Sequence, residues 1–146
     1  MAITTNAIAN SFKKELLEGG HNFTQTTGNV FKLALYTSSA TLGASTTSFT
    51  TDNQVTASGQ YVTGGGTLAV ASQQTSVASG TAIVDFADRS FTGVTITARG
   101  ALIYNTSNSN TAVCVLDFGG DKTATAGTFT IQFPAFTTSA AILRIS

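Results

Sequence analysis

The chain has 146 residues, with seven Lys and Arg against seven Asp and Glu, and its formal net charge is therefore zero. This length fits one domain with a single core, and the neutral charge excludes the basic surface with which proteins hold nucleic acids or anionic membranes. Charged residues make up only 10% of the chain, whereas it contains 27 Thr and 14 Ser. Because a neutral, hydroxyl-rich surface promotes association, the composition favours a chain that packs against other chains.

The first predicted element is an amphipathic helix at about residues 6 to 18. Ile8, Phe12 and Leu16 recur at the spacing that places three apolar side chains on one helix face. The Gly-Gly pair at 19–20 then ends the helix, because glycine tolerates a left-handed conformation. No continuous apolar stretch follows a basic start, so we expect neither a signal peptide nor a membrane anchor. Residues 1–20 are predicted to form a helical arm, and residues 21–146 a single β domain.

After residue 20 the apolar pattern changes from helical spacing to the alternation that is typical of β-strands. About seven strands separated by Gly, Ser and Asn predict a mainly β fold, an antiparallel β-sandwich or barrel-like domain with one N-terminal α-helix. The predicted strands are VFKLALYT, YVTGGGTLAV with a bulge at its glycines, TAIVDFA, VTITARGALIYN, AVCVLDF, TFTIQF and AILRIS.

The segment 94–121 predicts a β-hairpin. Its first strand alternates apolar and polar residues until Gly100, which indicates a bulge or a close approach of another backbone. NTSNSN is the polar loop, and AVCVLDF returns as the partner strand. Cys114 alternates within that strand and is predicted to be a small, buried apolar residue. The letters DFGGD are predicted to be the end of the strand and a turn.

Four carboxylates and one guanidinium are the side chains that could form a site within the β domain: Asp85, Asp88, Asp117, Asp121 and Arg99. General acid and base work requires two carboxylates that are held close together in different environments, and the spacing does not show this. A half-buried charge on a sheet needs a partner. We therefore expect a structural ion pair between Arg99 and either Asp85 or Asp117.

The remaining reactive residue types do not make up a catalytic set. His21 is the only histidine and follows the helix, where a general base would still need a nucleophile and an orienting group. Cys114 is the only cysteine, so the sequence predicts no internal disulfide and no cysteine-ligated metal. We expect no catalytic residues, no metal and no cofactor, and hence a protein that is not an enzyme.

Three tyrosines, Tyr36, Tyr61 and Tyr104, lie on three of the predicted strands. Aromatic rings of this kind can stack on a sugar, which leaves carbohydrate binding as one reading. The other reading is that each ring caps the core and points its hydroxyl outward. The second reading is the one we expect.

Several segments of the chain resemble a family of small virion proteins of tailed bacteriophages. The resemblance runs from Ser11 to Ile145 and is carried by SFKKELLEGGHNF, FKLALYTSSATL, GTAIVDFAD, TITARGALIYN and VLDFGGDKTATAGTFTIQFP. It implies a structural protein of the particle, of the head decoration or cement type, that lies on the capsid surface and is made in the host cytoplasm. The alternative is a tail or fibre component that binds a glycan of the host surface.

As such a cement protein, the chain is expected to have as partners the major capsid protein and further copies of itself in a homotrimer, whereas its neutral charge predicts no nucleic acid and no membrane as partners. A symmetric oligomer that contacts several capsid subunits multiplies modest affinities through effective concentration. Binding to the assembled lattice but not to free subunits would stabilise the shell by mass action.

Ile8, Phe12 and Leu16 are the candidate attachment contacts. A helix of about a dozen residues is marginal alone in water, so its apolar stripe must dock on something. The Gly-Gly pair suggests a flexible joint, and this favours docking on a sister subunit or on the capsid. The alternative is a lid over the protein's own sheet.

Overall fold

The computed structural model describes residues 3–70 and 75–146. It is 44% strand and 6% helix, which confirms the predicted mainly β, antiparallel fold with one helix near the N-terminus. The elements are β1 (Ala7–Ile8), α1 (Asn10–Leu17), β2 (Phe31–Tyr36), β3 (Gly66–Thr67), β4 (Thr75–Ala78), β5 (Thr81–Val84), β6 (Arg89–Asn105), β7 (Thr111–Ile131) and β8 (Leu143–Ile145).

The strands form two antiparallel sheets. The first has the order β1-β7-β6-β2-β3 and the second the order β4-β5-β8. A run of aromatic contacts passes through the core: Phe23 stacks on Phe31 with ring centroids 4.5 Å apart, Phe31 lies 5.8 Å from Phe86, and Phe86 lies 5.7 Å from Phe133. Phe31 belongs to β2 of the first sheet and Phe86 lies in the connection that follows β5 of the second sheet, so these rings join the first sheet to that connection.

The predicted hairpin is the β6–β7 pair, with strands of 17 and 21 residues. Val94, Ile96 and Ala98 are buried and the threonines between them are exposed, which confirms the predicted alternation. The register shifts between Ala98 and Gly100, where a side chain at Gly100 would press against the Leu116 carbonyl oxygen. Both readings of Gly100, a bulge and a close backbone approach, therefore apply.

The DFGGD segment is a bulge, and the prediction that the strand ends there is wrong. Ala98 pairs with Lys122 and Gly100 pairs with Asp117, so Arg99 alone faces the four residues 118–121 of β7. Gly119 accommodates this with a φ of 75°. Because the bulge absorbs the extra residues, the pairing with β6 resumes after it. The predicted strand TFTIQF is therefore not a separate strand: its TFTI part is the end of β7.

Two further strand predictions need correction. In YVTGGGTLAV only Gly66–Thr67 forms a strand, because Gly65 has a φ of 79° and approaches the Leu33 carbonyl too closely for any side chain. The segment Thr75–Ala78 lies outside the predicted strands, yet it pairs with β5. The short polar sequence of β4 contains too little apolar alternation to be recognised without its partner.

The N-terminal segment, described from Ile3 onward, begins differently from the prediction. Ala7 and Ile8 form a strand that pairs with Val115 and Cys114, and the helix starts only at Asn10. The free edge of β7 supplies backbone partners at 114–115, which outweighs the helical spacing of the side chains. Ile8 therefore does not share a helix face with Phe12 and Leu16.

The predicted attachment stripe is part of the protein's own core. Phe12 is buried, with its ring 4.7 Å from that of His21, and Ile8 and Leu16 pack partly buried against the core. The Gly20 amide donates to the Glu15 carbonyl at 2.7 Å, which makes the Gly-Gly pair a closed helix end and not a free joint. The described part of the arm therefore covers its own domain, which was the alternative.

We predict that Phe12→Ala lowers the free energy of unfolding by about 3–5 kcal/mol, since it leaves a cavity beneath α1. Leu17→Ala is the matched control on the same helix: Phe12 is 5% exposed and Leu17 is 91% exposed. The control should change stability by no more than about 0.5 kcal/mol. Denaturant unfolding measures both, and equal effects of the two substitutions would contradict the packing of α1.

Candidate interaction surface

Arg99 forms its ion pair with Asp117, the second of the two expected partners. The Arg99 Nη2 lies 3.2 Å from the Asp117 Oδ1, and the two side chains are only 20% and 13% exposed. The same Nη2 donates to the Ile3 carbonyl oxygen at 3.1 Å, and Asp117 Oδ1 accepts the Gly119 amide at 2.8 Å. The pair thus ties the N-terminal segment to the bulge of β7.

The other three candidate aspartates, Asp85, Asp88 and Asp121, lie in separate environments. The Asp85 carboxylate is buried and accepts the Phe86 amide at 2.9 Å; burial raises its pKa above the usual value, partly offset by this bond. Asp88 accepts the Phe133 amide at 2.8 Å, and Asp121 lies exposed on the bulge. Among residues 3–70 and 75–146, no three His, Cys, Asp or Glu residues are grouped as a metal site requires.

His21 is a buried link between the end of α1 and the β6–β7 turn. Its Nε2 lies 2.7 Å from the Glu15 Oε2, and its Nδ1 lies 3.0 Å from the Asn105 Nδ2. The same Asn105 amide donates to the Asn29 Oδ1 at 2.9 Å, so Nδ1 acts as the acceptor and Nε2 as the donor. With both ring nitrogens engaged, His21 holds these segments together and offers neither nitrogen to a substrate.

The tyrosine hydroxyls point inward, so the prediction that they point outward is wrong. Tyr36 donates to the Thr50 carbonyl at 2.7 Å and Tyr104 donates to the Gly64 carbonyl at 2.6 Å. The Tyr61 hydroxyl lies 2.8 Å from the Leu35 amide. All three rings are buried and do not form a platform on which a sugar could stack.

Cys114 is buried, as predicted. It lies opposite Ile8, so β1 covers the edge of β7 at this position. Burial raises the pKa of the thiol to about 12. Because the thiolate is the reactive form, this burial disfavours reaction of Cys114.

The largest exposed apolar side chains include two that lie in one line across the second sheet. The backbone register places Val77 of β4 opposite Ala82 of β5, and Ala82 opposite Ile145 of β8. Val77 is 71% exposed, Ile145 is 59% exposed, and Ala82 is exposed as well. We call these three residues the apolar row.

The apolar row borders a small cleft between the second sheet and α1. The cleft has a volume of about 100 Å³ and is lined by apolar side chains from both elements, among them Phe12, Leu16, Val84 and Leu143, with Ala82 and Ile145 from the row. Leu17, the next residue after Leu16, is almost fully exposed. Two members of the row, Ala82 and Ile145, therefore lie at the cleft beside apolar side chains of the core. Exposed apolar side chains grouped in this way are typical of an interaction site.

The sequence alone missed this surface. Val77 lies in a segment that was not predicted to be a strand. Ile145 lies in a predicted strand, but the sequence did not indicate which strands pair with it. The exposure of a row depends on which strands pair and in which register, and short strands carry little information about either. The signal that could have found it is the alternation of AILRIS, which places Ile142 and Arg144 on one face and Leu143 and Ile145 on the other.

Comparisons with family models, with curated proteins and with solved structures return no match to this chain. The helix that the structure describes within residues 3–70 and 75–146 is too short to cross a membrane.

We predict that Arg99→Ala lowers the free energy of unfolding by about 1–3 kcal/mol, because it leaves the largely buried Asp117 carboxylate without its cation. Lys122→Ala removes the same charge from an exposed position of β7 and should change stability by less than about 0.5 kcal/mol. Thermal melts at equal pH compare the two variants. An Arg99→Ala protein that melts like the parent but loses association would mean that Arg99 is a contact residue.

Proposed function

We propose that this chain is a bacteriophage virion structural protein, a capsid decoration protein that binds the outer surface of the head and bridges capsid subunits. The resemblance supports the class of protein. The apolar row and the adjoining cleft support attachment through the second sheet. The observation that carries the proposal is that exposed apolar side chains line up on one face of a protein whose surface is otherwise rich in uncharged hydroxyl groups.

The chemistry of this surface suits binding to many equivalent sites. Each copy buries only a few apolar side chains, and apolar burial contributes about 25 cal/mol per Å² before the costs of association. Such an interface is weak alone, but a protein anchored at several capsid subunits gains through effective concentration. A neutral surface avoids repulsion between the many copies that lie side by side on a shell.

The proposal includes the absence of enzymatic activity. The reactive groups that the sequence offered have structural partners: Arg99 holds Asp117, His21 holds Glu15 and Asn105, and Cys114 is covered by β1. These contacts account for the side chains without a substrate.

The alternative, a tail or fibre component that binds a host glycan, differs from the proposal in copy number. A head decoration protein is present at hundreds of copies per particle, and a tail component at a few to a few dozen. Quantitative mass spectrometry of purified particles, with the major capsid protein as the internal standard, distinguishes the two locations. The inward-pointing tyrosines remove the aromatic platform on which the glycan reading depended.

We predict that a double variant, Val77→Lys with Ile145→Lys, binds particles assembled without the protein at least about tenfold more weakly than the parent, because each interface would have to bury two lysine charges. The matched control is Val62→Lys with Val30→Lys, which adds the same charge at two exposed valines outside the apolar row. Co-sedimentation with particles measures binding, and a melt verifies folding. Equal binding by both variants would exclude the apolar row as the attachment surface.

A further inference from the structure

The outer edge of β7 is open along most of its length. On the side away from β6, β1 pairs with β7 only at Cys114 and Val115. Ser48 forms a single bridge with Thr111 at the start of β7, and within residues 3–70 and 75–146 no further strand pairs with β7 on that side. The stretch from Asp117 to Ile131 therefore presents backbone donors and acceptors without a strand to receive them.

A groove of about 540 Å³ continues the path of β1 along this edge. The Asn6 Oδ1 accepts the Asp117 amide at 2.7 Å, and beyond Asn6 the chain leaves the path, since Ile3 packs against Gly100. The groove therefore occupies the space beside the second half of β7. Its apolar lining is Leu116, Phe118, Phe129, Ile131, Phe133 and Ile142.

Two hydrogen bonds show which backbone groups of β7 face outward. The Ser90 and Thr130 hydroxyl oxygens lie 2.8 Å apart, which is typical of a pair whose backbone groups point away from each other. The Phe133 amide points back toward β6, where it donates to the Asp88 Oδ1 at 2.8 Å. By alternation, the amides and carbonyls of Thr128 and Thr130 face the groove.

The open edge lacks the usual protection against pairing. Exposed strand edges commonly carry lysine, proline or inward-pointing charge. Residues 123–131 of β7 contain no charged residue and no proline, and the register with β6 is regular from Phe129 to Ile131. The charged residues of β7 (Asp117, Asp121 and Lys122) all precede this stretch.

We propose that the occupant of this edge is the same edge of a second copy of this chain, in an antiparallel pair about a twofold axis. The other edge strands among the described residues are two to four residues long, so among these residues β7 has the longest open edge for a strand to pair with. When the twofold axis passes between the two copies of Phe129, Thr128 of one copy lies opposite Thr130 of the other. Each of these two symmetric pairs exchanges an amide and a carbonyl in both directions.

This pairing places no like charges opposite each other, because Lys122 of one copy lies beyond the end of the other copy's β7. It brings the two Phe129 rings together on the apolar floor of the groove. A twofold pair of this kind makes a dimer, whereas the resemblance implied a homotrimer. The inference does not depend on the virion role, because it rests on the edge of β7 alone.

Sedimentation equilibrium of the full chain tests the proposal. The parent should approach twice its mass of 14.9 kDa as its concentration rises. Thr130→Pro removes an outward-facing amide without removing a bond to β6, and it should raise the dimer dissociation constant about tenfold or more. Thr130→Ala is the control: it loses the hydroxyl contact with Ser90 but keeps the amide, and it should dimerise like the parent.

Hydrogen exchange on the unmodified protein gives a second measurement that does not require the proline variant to fold. The amides of Thr128 and Thr130 should become protected as the concentration rises through the dimer range. Rapid exchange of both amides at every concentration would overturn the proposal. A monomer at all concentrations, or a trimer that Thr130→Pro leaves intact, would overturn it equally.

Discussion

The antiparallel pairing of β6 with β7 supports the other elements of the larger sheet. β2 pairs with the last six residues of β6, and β1 pairs with β7 at the corresponding end of the hairpin. The N-terminal segment is fixed to the same ladder, since Ile3 packs on Gly100 and its carbonyl accepts Arg99. Because these contacts require the register of one hairpin, a shift of that register would expose its buried residues and release the segments that lie on it.

Two groups of buried or partly buried polar side chains stabilise this arrangement. The Arg99–Asp117 pair holds the bulge of β7, and the contacts of His21 with Glu15 and Asn105 hold the helix to the other end of the hairpin. A buried polar group without a partner is costly, so these pairs favour one arrangement over its alternatives. Because charged residues make up only 10% of the chain, hydroxyl groups, apolar side chains and backbone edges contribute much of the surface that meets its surroundings.

The two exposed surfaces have different chemistry and suit different partners. The apolar row is a side-chain surface that can adapt to a partner of matching shape, which is what attachment to a lattice requires. The edge of β7 is a backbone surface, and it accepts only another extended strand. A protein with both surfaces can associate with further copies of itself through the edge of β7 and with a larger assembly through the apolar row.

The sequence predicted those features that depend on local patterns. Alternation located the β6–β7 hairpin, the burial of Cys114 and the special position of Gly100. It could not decide between helix and strand at Ala7 and Ile8, because the answer depends on an unpaired edge of β7 more than one hundred residues away. Strand order is likewise a non-local property. For this reason the sequence pattern predicted an attachment stripe that includes Phe12 and did not reveal the row of Val77 and Ile145.

The most direct test of the account is to image the intact particle by electron cryomicroscopy and to fit this fold to its surface. The account predicts density for the β domain on the outside of the head, repeated over the lattice, with Val77 and Ile145 against the capsid. Density for this fold at the tail, or on the head with the apolar row facing solvent, would contradict it.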